Sequence, residues 1–425
     1  MRMEIDEVEG WLRERLPGLA EGYGVPGVAV AVDAGGQVVE AAAGVLSTAT
    51  GVEATVDSVF QIGSVTKTLT ATLVMGLVTE GLVELDAPVD SYLPGFRKAT
   101  VRQLLCHTAG FEGDVFTDTG KGDDCLERYV ELLADVPQIF EPGEMFSYNN
   151  AGYSVLGRIV EVVRGEPFDQ CMRDHLFTPL GMTHAATDPY EAILHRAAVG
   201  HLDGRPAPVW AMARSNAPAG SMLAMTPRDL LAFARSHLTD DSLRAMREPQ
   251  VALPDIDWGT AWGLGWTLYD LPGGLVFGHD GNTIGQSAVL RIDPDRDVCV
   301  AVFTNGGDRK PLMKEILGRI VEVPAEPVPN PTARLDARRY TGVYRSSTSE
   351  TTVSTDDQGR LWLEQIPLGL AVELGDKPYR TELLSWRGDS LLPAEPGHGP
   401  VAFLGDDDEG RARYLHTGRA DVRTR

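Results

Sequence analysis

Hydrophobic positions along the chain follow two spacings, and each spacing predicts one kind of element. Intervals of three and four residues that end at a glycine indicate amphipathic helices, and short valine-rich runs bounded by Gly, Asp or Pro indicate strands. On these criteria we predict helices over residues 4–22, 66–80, 101–106, 151–164, 227–237 and 311–321. We predict strands over residues 28–33, 38–43, 275–278, 286–292 and 298–304.

The order of these elements predicts the fold class, which is α+β. Strands near both ends of residues 1–322, with helices between them, imply an antiparallel sheet flanked by helices, with a helical subdomain against it. The proline-dense stretch 323–336 cannot continue a helix or a central strand, so we predict a linker there. Six further short strands are predicted in residues 337–425, where we expect a small C-terminal all-β barrel.

Composition and charge narrow the possible functions. Hydrophobic residues make up 43% of the 425-residue chain, which is enough for a sizeable core. The net charge of -23 is spread over the chain without a basic cluster, which argues against nucleic acid as a partner. We find no apolar run long enough for a transmembrane helix and no secretory signal, so we expect a soluble, cytoplasmic protein with no membrane partner.

The four cysteines are far apart in the sequence. Cys106, Cys125, Cys171 and Cys299 form no CxxC pair, so we expect buried free thiols in a reducing compartment. We predict no metal site, and the residues imply no cofactor.

Ser64 and Lys67 are the first candidate catalytic residues. A serine hydroxyl is a poor nucleophile at neutral pH, and it needs a base beside it and donors around the developing oxyanion. If the helix begins at Ser64, a residue three positions later lies on the same face one turn away. The backbone N–H of Ser64 could then donate to the oxyanion. The alternative is an N-capping serine followed by a solvated lysine, because SxxK is short enough to occur by chance.

Two further motifs carry polar groups that suit this chemistry. Tyr148 and Asn150 open a predicted helix, where the phenol could relay a proton and the amide could hold Lys67; the alternative is a turn asparagine beside a partly buried tyrosine. His279 and Gly281 follow a predicted strand, and the glycine would let a substrate approach the strand edge. A second HxG begins at His416, which we interpret as a barrel residue.

The order SxxK, YxN, HxG resembles class C β-lactamases and their penicillin-binding relatives. The resemblance covers about residues 10–320 and extends to the stretches 60–64, 104–110, 219–222 and 278–282. It implies that Ser64 attacks the acyl carbonyl and that Lys67, Tyr148 or both take its proton. It also implies that Asn150 orients Lys67, that His279 assists Tyr148, and that the N–H groups of Ser64 and Asn282 hold the oxyanion. We interpret His107 as structural.

One position departs from the β-lactamase pattern. Class C β-lactamases and most transpeptidases have lysine where this chain has His279, and an imidazole is a weaker anchor for a substrate carboxylate. Histidine at this position is typical of esterases, D-aminopeptidases and penicillin-binding-protein-type thioesterases. Several of these carry a C-terminal lipocalin-like domain, which residues 337–425 resemble.

These observations predict a serine acyl-enzyme hydrolase or transacylase that acts on an amide, ester or thioester donor. We expect a small-molecule or peptide donor inside the cell, with transfer to an amine or alcohol, or peptide cyclisation, in natural-product biosynthesis. The alternatives are a simple esterase, a D-aminopeptidase or a β-lactamase, and a non-catalytic sensor with the same fold. The oligomeric state stays open.

The basic C-terminus adds one more candidate residue. Arg419, Arg423 and Arg425 close the chain. If the barrel packs over the cleft, Arg419 could bind a substrate carboxylate. The alternative is a solvated basic tail.

Overall fold

The computed structural model describes residues 5–330, 335–373 and 377–424. Its α-helical segments within these ranges are α1 (Ile5–Gly22), α2 (Thr66–Thr79), α3 (Val101–Leu105), α4 (Cys125–Leu132), α5 (Asn150–Arg164), α6 (Phe168–Met172), α7 (Thr178–Leu180), α8 (Pro189–Ala192), α9 (Pro227–Thr239), α10 (Arg309–Ile320), α11 (Ala337–Tyr340) and α12 (Leu370–Glu373). Every helix predicted from the spacing is present, with ends within two residues of the prediction; residue 4 lies outside the described residues. None of the helices in the described ranges has both the length and the apolar character needed to cross a bilayer.

The strands fall into two groups along the chain. The first group comprises β1 (Gly27–Ala34), β2 (Gln37–Gly44), β3 (Ser58–Gln61), β4 (Arg196–Ala197), β5 (His201–Leu202), β6 (Arg205–Pro206), β7 (Ala224–Met225), β8 (Val251–Ala252), β9 (Ala261–Trp262), β10 (Thr267–Leu271), β11 (Gly274–Asn282), β12 (Ser287–Asp293) and β13 (Val298–Thr304). The second comprises β14 (Gly342–Arg345), β15 (Ser349–Thr355), β16 (Leu361–Pro367), β17 (Tyr379–Arg387), β18 (Ser390–Pro393), β19 (Val401–Asp406), β20 (Ala412–His416) and β21 (Ala420–Arg423).

An antiparallel sheet lies at the centre of the first group. Its strand order is β2-β1-β13-β12-β11-β10-β9-β8, so the two ends of this region meet at the β1–β13 pair, as the sequence predicted. Both faces of β1 are covered, which explains its continuous apolar run. Val28, Val30 and Val32 pack with α1 and α10 on one face, and Ala29 and Ala31 join the core shared with the helical subdomain.

The helical subdomain packs on the face of the main antiparallel sheet that carries α2 and α9. The central helix α5 contacts α2, α3, α4 and α6, and its side chains form part of the largest apolar core. The site described below lies where α2, the start of α5 and the edge of β11 meet.

The second group of strands closes into an eight-stranded barrel, in the order β14 to β21. Sequence patterns predicted six of these strands and missed β18 and β21, which are four residues each and therefore too short to show a period. The short strands β8 to β10 of the main sheet were missed for the same reason. Residues 323–330 carry neither helix nor strand, and residues 331–334 lie outside the described residues, so the linker stays a prediction.

The barrel packs against the first domain through a small apolar cluster. Phe140 meets Tyr414 edge-on, with ring centres 6.4 Å apart, and Ala420 completes the cluster. This contact brings the end of the barrel next to the start of α5.

Candidate active site

Ser64 and Lys67 lie at the start of α2, on the face toward β11. Ser64 sits in a short 3-10 turn, Gly63–Val65, directly before the α-helix, which begins at Thr66 as predicted, so Ser64 precedes the helix and does not open it. A hydrogen bond of 3.0 Å joins Lys67 Nζ to Ser64 Oγ, and Nζ also donates to the Ala219 carbonyl at 2.6 Å. Lys67 is fully buried, so the structure rules out a solvated lysine.

The surroundings of Lys67 favour its neutral form. Burial lowers the pKa of the Lys67 amine well below its ordinary value, and the positive charge of Arg419 lowers it further, while Asp114 acts in the opposite direction. A neutral amine at hydrogen-bonding distance from a serine hydroxyl can accept its proton.

Tyr148 lies in the loop before α5, and its ring faces Lys67. The Nζ atom of Lys67 is 4.9 Å from the ring centre of Tyr148. Burial raises the pKa of the Tyr148 phenol well above its ordinary value, which the nearby Ser64 hydroxyl and the positive charge of Arg419 partly offset. The phenol is therefore protonated at neutral pH and can act as a proton donor.

His279 lies on β11 with its ring toward Tyr148, at 6.2 Å between ring centres. Its Nδ1 donates to the Asp280 carbonyl at 2.7 Å, which leaves Nε2 as the unprotonated nitrogen. Nε2 is buried and has no hydrogen-bond partner among the described residues. Burial lowers the pKa of His279 to about 3, and the charge of Lys67 contributes, so the imidazole is neutral.

Asn150 does not make the contact with Lys67 that we expected. Its amide Nδ2 instead donates to Asp114 Oδ1 at 2.7 Å, because the first turn of α5 faces the loop that carries this carboxylate. Asp114 also forms an ion pair with Arg419, whose terminal nitrogen donates to Oδ1 at 3.2 Å. Asn150 is thus linked to the barrel through a carboxylate that sequence reasoning missed.

Arg419 is not part of a solvated tail. Its guanidinium lies 5.1 Å from the ring centre of Tyr148 and lines the cleft, with 33% of the side chain exposed. Arg423 is anchored in the barrel by hydrogen bonds to the Tyr344 hydroxyl and the Ala412 carbonyl, and Arg425 lies outside the described residues.

The edge of β11 approaches the turn of Ser64 very closely. A Cβ atom at Gly281 would lie 1.9 Å from the Ile62 carbonyl oxygen and 3.0 Å from the Ser64 nitrogen, so only glycine fits there. Asn282 follows at the exposed end of the strand, and its side chain accepts hydrogen bonds from Ser287 and Arg309. The backbone of this strand end therefore lies beside the backbone of the nucleophile, as an oxyanion site requires.

A cavity of about 1130 Å³ opens over these groups. Its walls include Ser64, Tyr148, His279 and Arg419, and two tryptophans, Trp258 and Trp262. This volume is at the upper end of what small-ligand sites use and suffices for a short peptide. Neither tryptophan carries a sequence signal, because each reaches the site through a tertiary contact of the region around β9.

Sequence comparisons show which known proteins this chain resembles. The Beta-lactamase family model matches residues 12–324. Penicillin-binding protein 4 of Amycolatopsis lactamdurans is 44% identical over 372 residues, which is 78% of this chain and 96% of that protein. Esterase EstB of Burkholderia gladioli is 34% identical over 175 residues, which is 36% of this chain and 44% of that protein.

Solved structures extend the similarity to the whole chain. The crystal structure of SurE superposes with a TM-score of 0.81 and 31% identity and covers 99% of both chains. D-amino acid amidase from Ochrobactrum anthropi SV3 superposes with a TM-score of 0.63 over 74% of this chain and 98% of its own, at 23% identity, which shows the fold alone. The predicted resemblance and fold class are therefore confirmed: this chain belongs to the beta-lactamase family, whose members are serine hydrolases and penicillin-binding proteins.

Proposed function

We propose that this protein is a serine acyl-transfer enzyme in which Lys67 deprotonates Ser64. The observation that carries the proposal is the 3.0 Å hydrogen bond between Lys67 Nζ and Ser64 Oγ, in a place where Lys67 is fully buried. Burial lowers the pKa of the Lys67 amine well below its ordinary value and raises that of the Tyr148 phenol, so Lys67 gives up its proton more readily than Tyr148 does. The charge states of the two groups thus favour Lys67 over Tyr148 as the base.

The reaction then runs in two balanced steps. Ser64 Oγ forms a bond to the acyl carbon while its proton moves to Lys67 Nζ, and the carbonyl oxygen becomes an oxyanion held by the N–H groups of Ser64 and Asn282. Each such donor stabilises the transition state by about 3 kcal/mol. As the intermediate collapses, the bond to the leaving group breaks and that group takes the Tyr148 proton, which Lys67 replaces; this completes the first step, acylation. In the second step, the acceptor amine, alcohol or water bonds to the ester carbon while its proton moves to Lys67, and the bond to Ser64 Oγ breaks as Oγ takes that proton back. His279, neutral and next to Tyr148, orients the phenol.

For the substrate, we propose an acyl donor of peptide or amino-acid type, in the form of an amide, an ester or a thioester. We propose that the enzyme acts on it inside the cell, in natural-product biosynthesis. Two solved relatives point to this chemistry: SurE was crystallised with D-Leu, and the amidase acts on D-amino acid amides by its name. The acceptor would be an amine or alcohol, including the amine of the same peptide. Arg419, exposed to the cleft over a third of its side chain, would bind a carboxylate of donor or acceptor.

A labelling experiment tests the catalytic part of the proposal. We expect a fluorophosphonate to modify Ser64 stoichiometrically, with the adduct located by mass spectrometry, and Ser64→Ala to give none. Lys67→Met should label at least 100-fold more slowly, since a general base contributes about 10²–10⁴-fold. Absence of an adduct on folded wild-type protein would favour the non-catalytic sensor.

A substrate panel tests the finer part. It contains p-nitrophenyl esters, D-alanine amide, peptidyl thioesters and a chromogenic cephalosporin, each with and without an added amine and with Ser64→Ala as the control. We expect the peptidyl donors to react fastest and the amine to yield an acylated amine. If the cephalosporin is the best substrate, or if only hydrolysis products form, the biosynthetic proposal is wrong and a β-lactamase, esterase or D-aminopeptidase is the better description.

A further inference from the structure

One turn of the barrel contacts the segment that carries Tyr148. This barrel turn, residues 416–420, connects β20 to β21, and the segment it meets, residues 146–150, which we call the tyrosine segment, leads into α5. His416 of the barrel turn and Phe146 of the tyrosine segment are 270 positions apart in the sequence. Their contact is therefore a product of the tertiary fold.

Three hydrogen bonds join the barrel turn to three consecutive residues of the tyrosine segment. The Tyr148 N–H donates to the Gly418 carbonyl at 2.9 Å, and the Ala420 N–H donates to Ser147 Oγ at 3.1 Å. His416 Nε2 donates to the Phe146 carbonyl at 2.8 Å. These bonds hold the backbone of Tyr148 and Phe146 and the side chain of Ser147.

The protonation of His416 follows from its two contacts. Nδ1 accepts a hydrogen bond from the Gly418 N–H at 3.1 Å, so the ring proton is on Nε2, where it is donated to Phe146. Burial lowers the pKa of His416 to about 4, which keeps this neutral form at neutral pH. One side chain thus fixes both the barrel turn and the tyrosine segment.

The opposite side of the tyrosine segment is held by His107. Its carbonyl accepts the Ser147 N–H at 2.9 Å, and its Nδ1 accepts the Asn149 N–H at 3.0 Å. The His107 ring packs against the Tyr148 ring at 4.3 Å between centres. Tyr148 thus lies between His107 on one side and the barrel turn on the other.

The barrel turn packs closely against Trp258. Gly418 has φ of +108°, and a Cβ atom there would lie 2.3 Å from the Trp258 ring. The Trp258 ring in turn meets the Tyr148 ring edge-on at 5.7 Å between centres. The same turn therefore touches the Tyr148 backbone directly and its ring through Trp258.

We propose that the barrel turn positions Tyr148 for proton transfer, so that His416 of the barrel acts in catalysis as a positioning residue. The inference rests on the proposed function, since it assigns Tyr148 a role in the proton path. It predicts that loosening the turn lowers kcat and leaves KM almost unchanged, because the substrate meets the same cavity but the phenol is misaligned.

The test uses the full-length protein and removes one inter-domain hydrogen bond at a time. Ser147→Ala deletes the acceptor for the Ala420 N–H, and His416→Leu deletes both contacts of the imidazole; Ser147→Thr and His416→Gln restore hydrogen-bonding groups. Thr381→Val is the matched control, because Thr381 Oγ1 likewise accepts one backbone N–H, that of Glu395, on β17 across the barrel. The measurements are kcat and KM for D-alanine amide, whose amine leaving group needs the Tyr148 proton, the rate constant for fluorophosphonate labelling of Ser64, and the thermal unfolding midpoint.

We expect kcat to fall about tenfold to 100-fold in Ser147→Ala and His416→Leu. KM should stay within about twofold, and Ser147→Thr should recover most of the loss. Thr381→Val should keep wild-type kcat even if its unfolding midpoint falls as far. Equal losses of kcat in Thr381→Val, or a change in KM alone, would overturn the inference.

A double variant separates this inference from a general loosening of the site. If the turn acts through Tyr148, Ser147→Ala should lower kcat for D-alanine amide in the wild type but add less than about twofold in a Tyr148→Phe background. If the effects of Ser147→Ala and Tyr148→Phe multiply in the double variant, the barrel turn acts on a group other than the Tyr148 phenol. A wild type that is not labelled at all would instead sink the proposed function, so the two failures are distinguishable.

Discussion

At the scale of single residues, the proposed mechanism makes the reactivity of Ser64 depend on whether Lys67 carries a proton. The amine is removed from water and lies near the positive Arg419, and both effects penalise the ammonium form. Because the base must be neutral, activity exists above the lowered pKa of Lys67 and is lost as the pH falls through it.

We therefore predict an acidic limb in the pH profile of kcat/KM far below 10.5, with a slope of about one decade per pH unit. The limb should keep its position in His279→Gln, since His279 is neutral down to about pH 3. Profiles of both proteins on a neutral ester check this. A limb near pH 10, or one that moves with His279, would contradict Lys67 as the base.

Asp114 adjusts the same equilibrium from a distance. Its carboxylate favours the charged form of Lys67, and it accepts hydrogen bonds from both Asn150 and Arg419. We predict that Asp114→Asn moves the acidic limb to lower pH. It should also lower the free energy of unfolding by about 1–3 kcal/mol, a value reduced from that of a fully buried pair because Arg419 is partly exposed.

Urea unfolding and the pH profile of the variant test this prediction. Asp118→Asn, an exposed aspartate of the same loop, is the matched control and should change neither quantity. A limb that moves upward in Asp114→Asn would show that another charge dominates.

At the scale of elements, the site depends on how closely β11 approaches the start of α2. The 3-10 turn of Ser64 and the strand end at Gly281 and Asn282 are in close backbone contact, which is the arrangement that the proposed oxyanion site requires. Neither element could supply an oxyanion site alone.

We predict that Gly281→Ala lowers kcat at least 100-fold, because its Cβ would lie 1.9 Å from the Ile62 oxygen and must push the strand away. Gly76→Ala is the control and should leave kcat unchanged, because a Cβ atom added at this position of α2 would meet no atom within 4 Å outside the neighbouring helix backbone. Steady-state kinetics on one ester decide it; wild-type kcat in Gly281→Ala would contradict the proposed oxyanion site.

At the scale of the whole molecule, the net charge of -23 acts on any charged substrate. An acidic protein repels anions over roughly a Debye length, which is about 10 Å at 0.1 M salt. Arg419 is paired with Asp114 and does little to offset this at long range.

We predict that kcat/KM for an anionic ester rises severalfold between low and high ionic strength, whereas a neutral ester of the same shape is unaffected. Stopped-flow acylation rates for the two esters over a salt series test this. A fall in the rate of the anionic ester would instead show that a local cationic group controls its capture.

The packing of the barrel against the rest of the molecule also affects the site. Sequence patterns correctly indicated an all-β barrel within residues 337–425, but they did not indicate where the barrel packs. Its last hairpin instead carries Arg419 into the cleft and holds the backbone of Tyr148.

Local patterns alone determined much of this protein. The leucine period of α2, the valine alternation of β1 and the glycine stops after α2 and α5 predict those elements because each depends on neighbours within a few residues. The ordered motifs at Ser64, Tyr148 and His279 likewise predict the family.

Tertiary structure decided what these groups touch. The ion pair between Asp114 and Arg419 joins residues 305 positions apart, and no local period records such a contact. The true partner of Asn150, the burial that lowers the pKa of Lys67, and the barrel turn behind Tyr148 all arise when distant segments pack together. The sequence motifs identify the candidate reacting groups. Packing determines the protonation and alignment of these groups, because desolvation and close contact exist only in the folded chain.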